Sequence, residues 1–107
     1  MMFTKSELEI VKHRLQVPDA IAECLEDTWG YGIVADRASL LSENTHLIDW
    51  SSELDRDIVV DSLEGSTVFC GIEDAVALGE ITKGAALAMH KAAKSLEAKL
   101  GITIPRG

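Results

Sequence analysis

Five side chains in this 107-residue chain could ligate a metal or serve as a nucleophile with its base: His13, His46, His90, Cys24 and Cys70. Zinc sites built on a helix or a knuckle place ligands about two to four residues apart, and none of these five pairs at that spacing. The pattern therefore predicts no metal site, and no glycine-rich phosphate loop or other cofactor motif is present. Two cysteines make no disulfide framework. Cys24 falls on an apolar helical stripe and is expected to pack.

Cys70 and His90 are the exception, because both lie the same distance in sequence from Glu80. If the chain turns there as a helical hairpin, thiol and imidazole come level across it, with Glu73 one turn from Cys70 to orient the ring. Cys, His and a carboxylate have the form of an activated thiol, which needs a neighbouring base to become thiolate near neutral pH. No oxyanion donor accompanies them, and a buried thiol is inert. A thiol enzyme using Cys70 and His90 is thus a subsidiary reading, and the expectation is a protein that is not an enzyme.

The carboxylates give no convergent pair. Glu26 with Asp27, and Glu73 with Asp74, are neighbours that point about 100° apart on a helix. Asp55, Asp57 and Asp61 lack the glycine and the terminal glutamate of a calcium loop. Trp29 and Tyr31 flank Gly30 and precede Gly32, and aromatics on flexible backbone can anchor an interface, although capping a core is the more ordinary use.

Charge is distributed unevenly. Between Asp19 and Glu80 stand fifteen acidic residues against Arg37 and Arg56, whereas Lys83 to the end carries five basic residues against Glu97, within a net charge of −8. Such a field repels nucleic acid and anionic membranes and attracts basic partners. No apolar run approaches the roughly 20 residues of a membrane span, and no signal-like segment opens the chain, so a cytoplasmic location is expected.

The elements that must position these residues follow from caps and periodicity. Thr4 with Glu7 forms a capping box that starts a helix near Lys5, with Leu8, Ile10, Val11 and Leu15 as its apolar stripe. Pro18 and Asp19 suit the first turn of a second helix burying Ile21, Cys24, Leu25 and Thr28, stopped by the loop from Trp29 to Gly32. Asp36 caps a short helix carrying Ala38, Leu40 and Leu41, and Thr45 to Ser52 forms a turn or short helix that buries Leu47, Ile48 and Trp50. Ser52 caps a long helix from Glu53 to Leu78, ended by Gly79, with Leu54, Ile58, Phe69, Ile72 and Val76 along one face. Residues 65–71 have poor helix propensity and leave a strand open. Thr82 caps the last helix, Lys83 to Lys99. It would return alongside its predecessor, with Gly71, Ala75 and Gly79 facing Ala85, Ala88 and Ala92, and with Lys91, Lys94 and Lys99 beside the acidic helix.

The sequence predicts an all-α fold: one small domain over residues 1–107, with four to five helices closed by a C-terminal antiparallel hairpin and a short non-helical tail at 102–107. The alternative is α+β with a short strand near 66–72. The function expected is a non-catalytic, acidic protein–protein interaction module that binds itself as a homodimer or another protein with a basic surface. Its candidate interaction residues are Trp29, Tyr31, Glu53, Asp55, Asp57 and Asp61. A second reading is a nucleic-acid mimic of the phage or mobile-element type, whose carboxylates block a basic groove; it requires Glu26, Asp27, Glu53, Asp55, Asp57 and Asp61 to form one exposed strip.

Overall fold

The computed structural model describes residues 2–65 and 67–106; Ser66, inside the segment left open between helix and strand, and Gly107, the end of the expected tail, lie outside them. Six α-helices follow one another: α1 (Lys5–Arg14), α2 (Pro18–Trp29), α3 (Tyr31–Glu43), α4 (Glu53–Glu64), α5 (Val68–Ala77) and α6 (Lys83–Leu100), with a 3-10 turn at Thr45–Leu47. The fold is all-α, with more helices than the four to five expected. No strand occurs among the described residues, so the α+β alternative is not supported.

Local chemistry sets most of these boundaries. The Thr4 hydroxyl accepts from the Glu7 amide while the Glu7 carboxylate accepts from the Thr4 amide, closing the capping box of α1. Ser52 and Thr82 cap α4 and α6 through the amides of Asp55 and Ala85. At the end of α5 the Gly79 and Glu80 amides donate back to the carbonyls of Val76 and Ala75, with Gly79 at φ +75°, the left-handed conformation that glycine adopts without penalty.

Three expectations are corrected. The supposed loop from Trp29 to Gly32 is a single residue: Gly30, at φ +91° and ψ +137°, reverses the chain, and α3 begins at Tyr31 with Gly32 in its first turn, well before Asp36. The long helix from Glu53 to Leu78 is two helices. The Gly65 amide closes α4 onto Asp61 and Leu63, and the next helix begins at Val68; Gly65 is a weak helix former at the point where α4 ends. On α2 the buried face runs through Ile21 and Ala22 toward Leu25 and Trp29, while Cys24 and Thr28 are exposed. At about 100° per residue Cys24 falls about 60° from Ile21, on the side away from Ala22 and Leu25, at the edge of the stripe, where it stays exposed.

α2 folds back along α3, and both pack with α1 and α4. α6 lies against α1 on one side and α5 on the other, completing the expected C-terminal hairpin. The core joins Ile10, Val11 and Leu15 of α1, Val34 and Leu41 of α3, Ile58 and Leu63 of α4, Phe69 and Ile72 of α5, and Leu96 of α6. Ile48 is buried and Trp50 stacks on Phe3 at 4.0 Å, but Leu47 is exposed. The tail is not loose. Ile104 is fully buried, its amide donates to Glu97 at 2.7 Å, and Arg106 reaches both Glu97 oxygens and lies over the Phe69 ring.

The small-residue match between α5 and α6 is also corrected. Ala85 and Ala88 are exposed, and α6 buries Ala86, Ala92 and Ala93 instead. Gly71 faces α1: a Cβ on it would stand 3.5 Å from the Arg14 guanidinium.

Candidate functional site

Pairing decides which charges remain available. Among the described residues three ion pairs form: Arg37 with Asp55, Lys99 with Glu7, and Arg106 with Glu97. None joins a lysine of α6 to α4 or α5. Lys99 turns to α1 and to the Met2 carbonyl, and Lys91 and Lys94 stay exposed, so the expected interleaving of α6 lysines with the acidic helix does not occur. Of the two arginines within the acidic stretch, Arg37 is committed to Asp55 and Arg56 is exposed.

Asp55 is the first of the predicted interaction residues to be displaced. It is 1% exposed, accepts from Arg37 Nε and Nη2 at 2.8 Å and from the Asp49 amide at 2.8 Å, and ties α3 and α4 together. Burial would raise its pKa, but the Arg37 guanidinium and the Asp49 amide outweigh it, so the carboxyl lies below its ordinary value. Because Asp55 faces inward, the six acids of the mimic reading do not form one exposed strip. Asp61 is half-buried in a small cleft with Arg14 and Cys24, and burial, with Glu64 nearby, raises its pKa. Glu53 is exposed in the first turn of α4.

The aromatics are where the acidic surface acquires shape. α2 presents Asp19, Glu23 and Glu26 at spacings of four and three residues, which places them within an arc of about 60° beside the buried face. The reversal at Gly30 lays Tyr31 over that row. The residue is 41% exposed and its hydroxyl donates to Asp19 at 2.9 Å. That bond, with the charges of Asp19, Glu23 and Glu26, raises the phenol pKa. Trp29, half-buried at the edge of the row, donates its Nε1 hydrogen to Asp57 at 2.9 Å and so fixes α2 to α4. The result is an exposed aromatic side chain whose hydroxyl stands among carboxylates. Lysine and arginine side chains are attracted to both parts, to the ring through its quadrupole and to the carboxylates through charge-assisted hydrogen bonds.

The sequence singled out Trp29, Tyr31 and Asp57, named Glu26 only in the mimic strip, and missed that Asp19, Glu23 and Glu26 form one row. Asp19 reads from sequence as a dipole-complementing first-turn residue. The signal that could have found the row is the 19, 23, 26, 30 periodicity, which leads directly into the glycine reversal.

The remaining candidates stand elsewhere. His90 stacks on Phe69 at 5.5 Å, Cys70 is half-buried one residue away, and no hydrogen bond joins the thiol to the imidazole. Among the described residues no three His, Cys, Asp or Glu side chains converge to hold a metal, and no helix is long and apolar enough to cross a membrane. Set against known proteins, the chain matches no family model, no curated protein sequence and no solved structure.

Proposed function

We propose that this protein is a non-catalytic interaction module that receives a basic segment of a partner protein on the α2 face, with Tyr31 as the central anchor. The observation that carries the reading is the exposed Tyr31, its hydroxyl held by Asp19 with Glu23 and Glu26 close by, on a surface whose carboxylates are left unpaired by the protein's own lysines. A partner lysine or arginine placed there gains a cation–π contact and a carboxylate at once. Trp29 and Asp57 act as a brace that keeps α2 and α4 in register beneath it.

A protein partner is preferred to phosphate mimicry because Asp55, in the middle of the acidic run, faces Arg37 and not solvent. The test is an amide and indole NMR titration with a lysine- and arginine-rich helical peptide. Shifts are expected to concentrate on α2, Tyr31 and the Trp29 indole, and to weaken with added salt. Shifts spread evenly over every acidic helix would overturn the assignment of this face.

A further inference from the structure

α6 packs on α1 and α5 through an inner face that buries Ala86, Ala93 and Leu96, and its outer face is left to solvent. At about 100° per residue Lys83, Leu87, Lys91 and Lys94 fall within an arc of about 80°, centred opposite Leu96. All four are exposed, Leu87 to 71%, and none of the three lysines enters an ion pair among the described residues. The only carboxylate of α6, Glu97, is held by Arg106 through both oxygens. The stripe is thus a helical, lysine-rich surface with an apolar centre. It offers what the α2 face attracts, cations for Asp19, Glu23 and Glu26 and for the Tyr31 ring. Within one chain the two are held apart, because α6 packs on α1 and α5 whereas α2 packs on α3 and α4.

From this complementarity we infer that the basic segment received by the α2 face is the α6 stripe of a second copy of the chain, an inference that rests on the function proposed for that face. The spacing agrees. Lys91 and Lys94 are three residues apart, as are Glu23 and Glu26, so each pair rises about 4.5 Å along its helix and the two can be met together. Leu87, one turn before Lys91, then comes to one end of the Tyr31 side chain in either helix direction: near its backbone if the helices run antiparallel, near Asp19 and the phenol hydroxyl if they run parallel. Pairing of like faces is disfavoured, since it sets carboxylate on carboxylate or lysine on lysine. The contact is therefore heterologous, and a pair of copies leaves one α2 face and one α6 stripe free to extend the assembly. The net charge of −8 on each copy opposes approach, but at physiological salt charges more than about 8 Å apart are largely screened, so the facing groups decide.

The test is sedimentation equilibrium of the full chain at physiological salt from about 1 to about 100 µM, where contacts of micromolar affinity fill. The average mass of wild type is expected to exceed the chain mass and to rise with concentration. Lys91→Gln with Lys94→Gln should weaken association about tenfold or more. Lys5→Gln with Lys12→Gln, the same change in net charge on exposed side chains of α1, should not. Asp19→Asn with Glu23→Gln and Glu26→Gln lowers the repulsion between copies, yet it too should weaken association about tenfold or more. Each of the α6 and α2 variants has lost one face, so mixing them should regain association and stop at twice the chain mass, which an unfolded variant cannot do. A monomer throughout the range, an assembly indifferent to either set of changes, or a mixture that gains nothing would each overturn the inference. The lysine- and arginine-rich peptide separates it from the function on which it rests. A chain that never associates but still shifts at α2 and Tyr31 with peptide overturns the self-contact alone; one that also ignores the peptide overturns both.

Discussion

Tyr31 is the residue on which the functional reading turns, and it reports on itself because it is the only tyrosine in the chain. Its hydroxyl donates to Asp19 among three carboxylates, so phenol ionisation adds a negative charge to a negative site and forfeits a hydrogen bond. Ultraviolet titration should give a tyrosinate transition above the ordinary value of about 10, and Asp19→Asn should move it down toward that value. A transition at the ordinary value in wild type would mean that Tyr31 is not held over the row. Arg37 and Asp55 make the complementary case inside the fold. Removing Arg37 as Arg37→Ala strands a buried carboxylate and should cost about 3 kcal/mol in urea unfolding, the lower end of the range for broken buried pairs, since the arginine itself is partly exposed. The pH dependence has a definite sign. Asp55 and Glu7 both have lowered pKa values in the fold, Glu7 because Lys99 and the Thr4 amide outweigh its burial. Their contribution is present above the unfolded values near about 4 and is lost as pH falls through the folded ones, so stability should hold at neutral pH and decline in acid. Native-state thiol labelling should separate the cysteines, the exposed Cys24 reacting before the half-buried Cys70.

At the scale of elements, most caps were legible in the sequence, Asp36 excepted, and interruptions were not. Thr4 with Glu7, Ser52, Thr82 and Gly79 each act as their residue types dictate, because a cap depends on a few neighbouring atoms. The break between α4 and α5 depended on competition: in the sequence the apolar spacing of Ile58, Phe69 and Ile72 runs on past Gly65, and periodicity alone cannot show that a helix ends there. Gly30 was recognised as a stop, but one residue suffices for the turn only because its φ and ψ are reserved in practice for glycine. Gly30→Ala should therefore cost about 1–3 kcal/mol although open space surrounds the position. It should also displace Tyr31 from Asp19, lowering the phenol transition. Phe69, buried against His90 and Arg106, belongs to the core, and Phe69→Ala should cost about 3–5 kcal/mol in urea unfolding.

Across the whole molecule the segregation of charge visible along the sequence survives folding. The sequence sets the α6 lysines beside the acidic helix, but α6 spends its inner face on alanine and leucine packing and sends Lys99 to α1. Which surface would carry an aromatic anchor was not legible, since that depended on where the Gly30 reversal aims Tyr31. The most direct measurement of the central claim compares two charge-reversed proteins by calorimetric binding of one lysine- and arginine-rich helical peptide. One carries Asp19→Lys, Glu23→Lys and Glu26→Lys; the other carries Glu43→Lys, Glu64→Lys and Asp74→Lys, three exposed acids on other helices. The two have the same net charge, so nonspecific attraction changes equally. The account predicts a loss of about tenfold or more in affinity for the first relative to the second. Equal losses would contradict it, leaving the acidic surface as a diffuse field with no binding face on α2.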